Sequence, residues 1–350
     1  MDFSLSEERK MLQETVARFF ENNYKDIKKR SEYLEMNDGF SREFWKESSN
    51  LGVISGLISP SFGGLGGSGE DISIIFELIG KSLCIEPFLS SGLLSSIILS
   101  SIKNPKTELI GQIIDGELLI SFAHMEMNNR YEDRFVETKA ILKNNNWKLS
   151  GSKSFVINGD SAEKVIISAR IGGKINDKNG IGLFLVDSNH INNRSYNTID
   201  GYRAAELNFD NVNAELLCKD DLALECIVKA NSAGALALSA EAVGIMQVCF
   251  DLTLEYLKTR KQFGKSIGAF QSIQHRMVDM MLEIEQVRSA VMLASSTFET
   301  NSSTRDKNVS AAKNLVNKGV CNFKIDIIGD GELYKSLSSK IKCFARRFFS

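Results

Sequence analysis

Histidine is scarce in this chain and cysteine is unpaired, and both facts exclude chemistry. The 350 residues hold three histidines, His124, His190 and His275, none with a carboxylate or cysteine at metal-ligand spacing, so no metal centre is expected. Six cysteines, Cys84, Cys218, Cys226, Cys249, Cys321 and Cys343, make no C-x-x-C pair. A chain this long needs no disulfide staples, and they are expected as reduced thiols in a cytoplasmic protein. A formal charge of −2, a pI near 6.1 and the lack of a basic block interleaved with aromatics give no reason to expect nucleic acid. The opening MDFSLSEERK is acidic and polar where a secretory leader is basic and then apolar. The apolar run FLSSGLLSSIILSSI, residues 88–102, is rich in serine and short of the ~20 residues a membrane span needs, so a buried helix is predicted and no membrane partner. There is neither an internal repeat nor a low-complexity tract.

What is present is a globular composition, 43% hydrophobic and 25% charged, long enough for two or three domains. Ser4-Leu5-Ser6-Glu7 fits a capping box, and Met11, Leu12, Val16, Phe19 and Phe20 follow on one helical face. Helical pieces continue to about residue 117. Residues 118–217 change to short runs that alternate apolar and polar residues between Gly, Asn and Asp turns, which predicts a compact antiparallel β domain. Long helical segments follow, about 221–259, 269–300 and 304–316. The reading is α+β: an N-terminal helical domain (1–117), a central β domain (118–217), a helical C-terminal domain (218–316) and an atypical tail (317–350).

Two local motifs are weighed and set aside. GGLGGSG, residues 63–69, contains G-x-G-x-x-G, but a dinucleotide cradle needs a preceding strand and an acidic residue closing a βαβ unit about twenty residues on. Here Glu86 is followed by Pro87 with no strand leading into it, so a loop between helices is predicted. GKSIG, residues 264–268, spells G-x-S-x-G between two helical runs, whereas a nucleophile elbow joins a strand to a helix.

YLKTRKQFGKSIGAFQSIQHRMVDMMLEIEQVRSA, residues 256–290, resembles the acyl-CoA dehydrogenase family, whose C-terminal helices carry an R-x-x-F-G turn followed by F-Q and a long helix. The similarity extends through AEAVGIMQ and VSAAK and covers the chain to about Lys313; SPSFGGLGGSGED resembles the family's Gly-rich loop between two N-terminal helices. The resemblance implies flavin adenine dinucleotide (FAD) and α,β-dehydrogenation of an acyl-CoA thioester, with electrons passed to an electron-transferring flavoprotein. It implies a homo- or hetero-oligomer of related subunits as well. Arg260 matches the arginine that reaches the cofactor diphosphate in a partner subunit, Phe263 the aromatic near the adenine, and Gln271 the glutamine facing the same end; the alternative for Arg260 and Phe263 is a plain turn between helices. Phe155 stands where an aromatic covers the flavin ring, and Ile157 where a threonine commonly bonds it. Glu126 is the residue that keeps its type in FAHMEMNNRYED, and Met125 replaces a threonine. Arg203, in DGYRAAE, is expected to be structural.

No catalytic base is identified. One of the family's two base positions falls on Gly234, and Glu241 on the same helix matches neither, so a packing or polar-contact role is expected for it. The other position lies beyond the resemblance. The tail instead reads as a strand over Phe323, Ile325 and Ile327, a Gly329-Asp330-Gly331 turn and a helix, resembling a glycosyltransferase fragment, as a truncated or fused reading frame would give. Two readings stay open: a dehydrogenase, or a non-catalytic structural subunit of a heteromeric one.

Overall fold

A computed structural model describes residues 7–24, 27–129, 132–198 and 200–328. The expected capping box at Ser4 lies outside these. In chain order the chain forms α1 (Glu7–Tyr24), α2 (Ile27–Leu34), α3 (Arg42–Asn50), α4 (Gly69–Ser82), a π-helical stretch Phe88–Ser95 running into α5 (Ser96–Ser101), and α6 (Thr107–Ile114). Strands β1 (Ile120–Ala123), β2 (Lys139–Lys143), β3 (Asn146–Ile157), β4 (Lys164–Arg170), β5 (Ile181–Asp187), β6 (Asn192–Asn197) and β7 (Arg203–Lys219) follow. Then come α7 (Asp221–Thr259), the short strands β8 (Lys261–Gln262) and β9 (Lys265–Ser266), α8 (Gln271–Ser296) and α9 (Ser302–Ile328).

The chain divides into two compact units that do not follow chain order, one made of residues 33–67 and 85–234 and the other of the remainder. The first holds the sheet. β4 pairs with β5, β5 with β7, β7 with β3 and β3 with β2, all antiparallel, and β2 returns to β4 at Lys139 and Arg170, so the ladder closes on itself. Closure leaves an interior filled by Leu149, Val156, Val165, Ile167, Phe184 and Leu207. The sheet is not wholly antiparallel as expected: β1 lies parallel to β4. β1 reaches β4 through a long connection and not a hairpin, which is the condition for parallel pairing.

The Gly-rich run is a turn. Gly64 sits where a Cβ would lie 1.9 Å from the Ile58 carbonyl oxygen, and Gly67 has φ +84°. Close backbone approach and a left-handed conformation, not a phosphate, account for these glycines. Arg203 has the structural part expected of it: it donates to the Asn37 carbonyl at 2.6 Å, pairs with Asp160, and its side chain occupies the space a Cβ on Gly39 would need.

The second unit is helical. Ser68 and Asp71 cap α4 reciprocally, and Arg9 of α1 donates to both side chains. α4 and α7 cross with their backbones in contact, since a Cβ on Gly80 would lie 2.1 Å from the Glu241 carbonyl oxygen and one on Gly244 2.0 Å from that of Glu77. Arg288 of α8 holds the Glu77 carboxylate with one guanidinium nitrogen at 3.0 and 3.1 Å from its two oxygens. α8 buries Met277, Met280, Ile284, Val287, Val291 and Ala294 along one face, the helical period its sequence predicts.

α7 is long and apolar enough to cross a bilayer by length and composition alone, but most of its apolar window is buried inside the protein, as in a core helix. At the far end the alternation Phe323, Ile325, Ile327 does not make a strand: α9 is helical through Ile328. A strand there would need a neighbour for its backbone N–H and C=O groups, whereas a helix satisfies them within itself. The rest of the expected tail, residues 329–350, lies outside the described residues.

Candidate functional site

The expected cofactor residues fall into two groups, one in each unit. In the sheet unit, β3 and β7 run in register from Gly151 opposite Phe209 to Lys153 opposite Leu207 and resume at Val156 opposite Ala205, so β3 carries one extra residue there. The bulge puts Phe155 at φ +53°, a conformation that costs an aromatic residue strain. Its ring is 46% exposed in a strand whose neighbour Val156 is buried. Ser154 N–H donates to the Met125 carbonyl at 2.9 Å, which ties the bulge to the 124–126 segment. Ile157, half-buried, pairs with Ala204, and its carbonyl accepts from the Ser121 hydroxyl.

Glu126 does not present its carboxylate to a ligand. Both oxygens are committed: Oε2 accepts from Glu137 N–H at 2.6 Å, and Oε1 from Thr138 N–H, Thr138 Oγ1 and Lys153 Nζ at 3.0, 2.8 and 2.5 Å. Burial alone would raise its pKa, but the charge and hydrogen bond of Lys153 hold the carboxyl below its ordinary value. Lys153 Nζ also donates to the His124 carbonyl at 3.2 Å and to Ser168 Oγ at 3.0 Å. Burial pulls this lysine down to about 8 even beside Glu126, which leaves the pair charged at neutral pH. His124 meets Ser168 Oγ through Nδ1 at 2.9 Å and stacks on Phe122, and burial drives its pKa to about 3, so the ring is neutral. The Ser168 hydroxyl, with one proton and two lone pairs, accepts from Lys153 and shares a hydrogen with His124 Nδ1, while Nε2 is buried without a hydrogen-bond partner.

Lys153 and Ser168 are the members that sequence reasoning missed. The signal is available in the alternation of β3: Lys153 stands four residues from buried Leu149 and in phase with it, so a charged residue there has to have a buried partner.

In the helical unit, Arg260, Phe263 and Gln271 share the connection between α7 and α8. Phe263 and Gly264 form the two-residue turn of the β8–β9 hairpin with φ +51° and +79°, the left-handed pair that normally takes Asn-Gly. Phe263 is 89% exposed and touches Phe270 edge-on at 6.3 Å. Arg260 is exposed at the start of the hairpin and Gln271, also exposed, is the first residue of α8. Ser266, the serine of G-x-S-x-G, donates its hydroxyl to the Leu257 carbonyl at 2.6 Å and belongs to the hairpin, not to an elbow.

Gly234 and Glu241 both lie on α7. A Cβ on Gly234 would lie 3.2 Å from Leu94 Cδ2 and 4.0 Å from Leu89 Cδ1, so apolar side chains face that position. Glu241 is buried and its charge supports Lys313 of α9, the polar-contact role expected of it. Among the described residues no three His, Cys, Asp or Glu side chains are grouped to hold a metal. Cys84, Cys218, Cys226 and Cys249 are buried and form no disulfide among the described residues.

Two family profiles match the chain: "Acyl-CoA dehydrogenase, N-terminal domain" over residues 6–117 and "Acyl-CoA dehydrogenase, C-terminal domain" over residues 225–326, the latter running past Lys313. A probable acyl-CoA dehydrogenase of Bacillus subtilis is 28% identical over 307 residues, 84% of this chain and 80% of the relative. Among solved structures, butyryl-CoA dehydrogenase from Megasphaera elsdenii superposes with a TM-score of 0.85 at 20% identity, covering 99% of this chain and 93% of that one. A ChsE4–ChsE5 complex from Mycobacterium tuberculosis gives 0.84 at 19% identity, covering 99% and 92%.

Proposed function

The chain belongs to the acyl-CoA dehydrogenase family, and from that premise we propose that it binds FAD and dehydrogenates an acyl-CoA thioester between its α and β carbons, passing electrons to an electron-transferring flavoprotein. The observation that carries the reading is the Phe155 bulge, where a large aromatic stands half-exposed in a strained backbone conformation next to the hydrogen bond from Ser154 N–H to the Met125 carbonyl. Strain of this kind persists where the surroundings enforce it and recurs at ligand sites. Phe263 repeats the pattern on the hairpin.

The residues present fit the chemistry of the cofactor. Phe155 offers a face to a planar ring, Phe263 one to an adenine, the Arg260 guanidinium a fork of donors to a diphosphate, and Gln271 an amide. Ile157 and Met125 have no side-chain hydrogen to donate, so polar contacts to the ring here fall to backbone amides of residues 125–126 and 155–157. Glu126 contributes by fixing that segment. When bound, the flavin supplies the acceptor for the β hydride. The chain must orient the thioester, exclude water and place a carboxylate at the α proton.

Gly234 favours a second reading, a non-catalytic subunit whose partner chain holds the working base, because that position has no carboxylate and faces Leu94 and Leu89. The heteromeric ChsE4–ChsE5 complex is a precedent of the same fold. Purified protein reconstituted with FAD and freed of excess should be yellow and should reduce an electron-accepting dye when given an acyl-CoA. A colourless protein contradicts the flavin reading, and a yellow one inert to a panel of acyl-CoAs selects the second.

A further inference from the structure

Lys153 and Glu126 form an ion pair with 0% and 3% of their side chains exposed, and stability alone does not explain it. A buried pair is commonly no more stable than apolar residues of the same volume, because desolvation offsets the attraction. What an apolar pair cannot do is hold several chain segments in one register. Lys153 donates to the His124 carbonyl, to Glu126 and to Ser168 of β4, while Glu126 accepts from the backbone of residues 137 and 138 leading into β2. Two strands, β3 and β4, the approach to β2 and the 124–126 segment therefore meet at one ion pair.

The bulge begins immediately after it. With Lys153 fixed inward and Ser154 N–H tied to the Met125 carbonyl, the extra residue of β3 has to be accommodated before Val156 re-enters the core, and Phe155 takes the left-handed conformation. We propose that the buried Lys153–Glu126 pair is a positioning device that fixes the Phe155 bulge, and with it the Met125–Glu126 backbone, at the spacing a bound flavin ring requires. The proposal rests on the flavoprotein reading above. Lys153 and Glu126 are positioning residues; Phe155 is the group that touches the ring.

Four proteins test it: wild type, Phe155→Ala, the double variant Lys153→Met/Glu126→Leu, and the triple combination. The double variant removes both charges together, so that no unpaired charge is left to unfold the chain. Ile110→Ala, a core cavity on α6, is a control for lost stability. FAD dissociation constants come from flavin fluorescence quenching, ring geometry from the visible circular dichroism of bound flavin, and folding from thermal melts of the FAD-free proteins.

Phe155→Ala and the double variant are each expected to weaken FAD roughly tenfold, the scale of one lost stacking contact, and to change the flavin dichroism alike. The triple variant should fall short of the sum of the two losses, since the pair acts in part through Phe155 and otherwise through the Met125–Glu126 backbone. Ile110→Ala should melt earlier with its FAD affinity unchanged. Wild-type affinity in the folded double variant, or additive losses in the triple, would overturn the positioning role while leaving the flavin reading intact. Absence of FAD binding by wild type would overturn both.

Discussion

The ammonium of Lys153 lies 2.5 Å from the Glu126 carboxylate with neither side chain open to water, so each charge depends on the other for its solvation. Lys153→Met alone strands a buried carboxylate and should cost about 3–5 kcal/mol; the double variant Lys153→Met/Glu126→Leu should recover most of it. Urea denaturation of wild type, Lys153→Met, Glu126→Leu and the double variant gives the cycle. A single variant as stable as wild type would contradict the burial described here.

His124 should make the fold acid-labile. Its folded pKa, about 3, lies below the ordinary 6.5, so between those values the unfolded chain binds a proton that the folded one does not. Stability contributed by the neutral ring is present above pH 6.5 and falls with pH through that window, by up to ~1.4 kcal/mol per unit. His124→Phe keeps the ring beside Phe122 and should cost about 1 kcal/mol at pH 7 for the bond to Ser168, while flattening the decline between pH 6.5 and 4.5. Chemical denaturation across that range, compared between the two proteins, is the check.

Gly80→Ala and Gly244→Ala should invert the usual preference. Alanine in a helix is favoured over glycine by roughly 1 kcal/mol. Here the added methyl would meet a carbonyl oxygen at 2.1 Å from Gly80 or 2.0 Å from Gly244, and backbone cannot swing aside as a side chain can. The overpacked crossing of α4 and α7 should lose about 1–3 kcal/mol in either variant, read as a lower melting temperature.

Phe263→Asn should separate folding from binding. Asparagine suits the first position of this hairpin turn, and relief of strain offsets the lost contact with Phe270, so stability should stay within about 0.5 kcal/mol of wild type. FAD affinity should fall several-fold, measured by fluorescence quenching. Equal affinity would remove Phe263 from the cofactor site.

Much of this molecule is legible in its sequence where periodicity is long. The spans predicted for the long helices fall close to α7 and α8 because three or more turns of apolar spacing leave few alternatives. The Gly-rich turn was readable from what it lacked, a strand before it. The tail misled because alternation over Phe323, Ile325 and Ile327 is compatible with a strand only if a sheet is available, and that is a tertiary fact. Glu126 misled in another way: a residue kept in type beside an expected ligand reads as a contact, and only the coordinates assign its oxygens to Lys153 and residues 137 and 138. The Phe155 and Phe263 conformations could not be read at all, since propensity argues against an aromatic in the left-handed region at both positions.

Dehydrogenation by this chain is tested by adding acyl-CoAs of increasing chain length, without oxygen, to the FAD-loaded protein and following the flavin's visible absorbance. Retained flavin that bleaches with at least one of them is expected. Flavin that is retained but bleaches with none would contradict dehydrogenation by this chain.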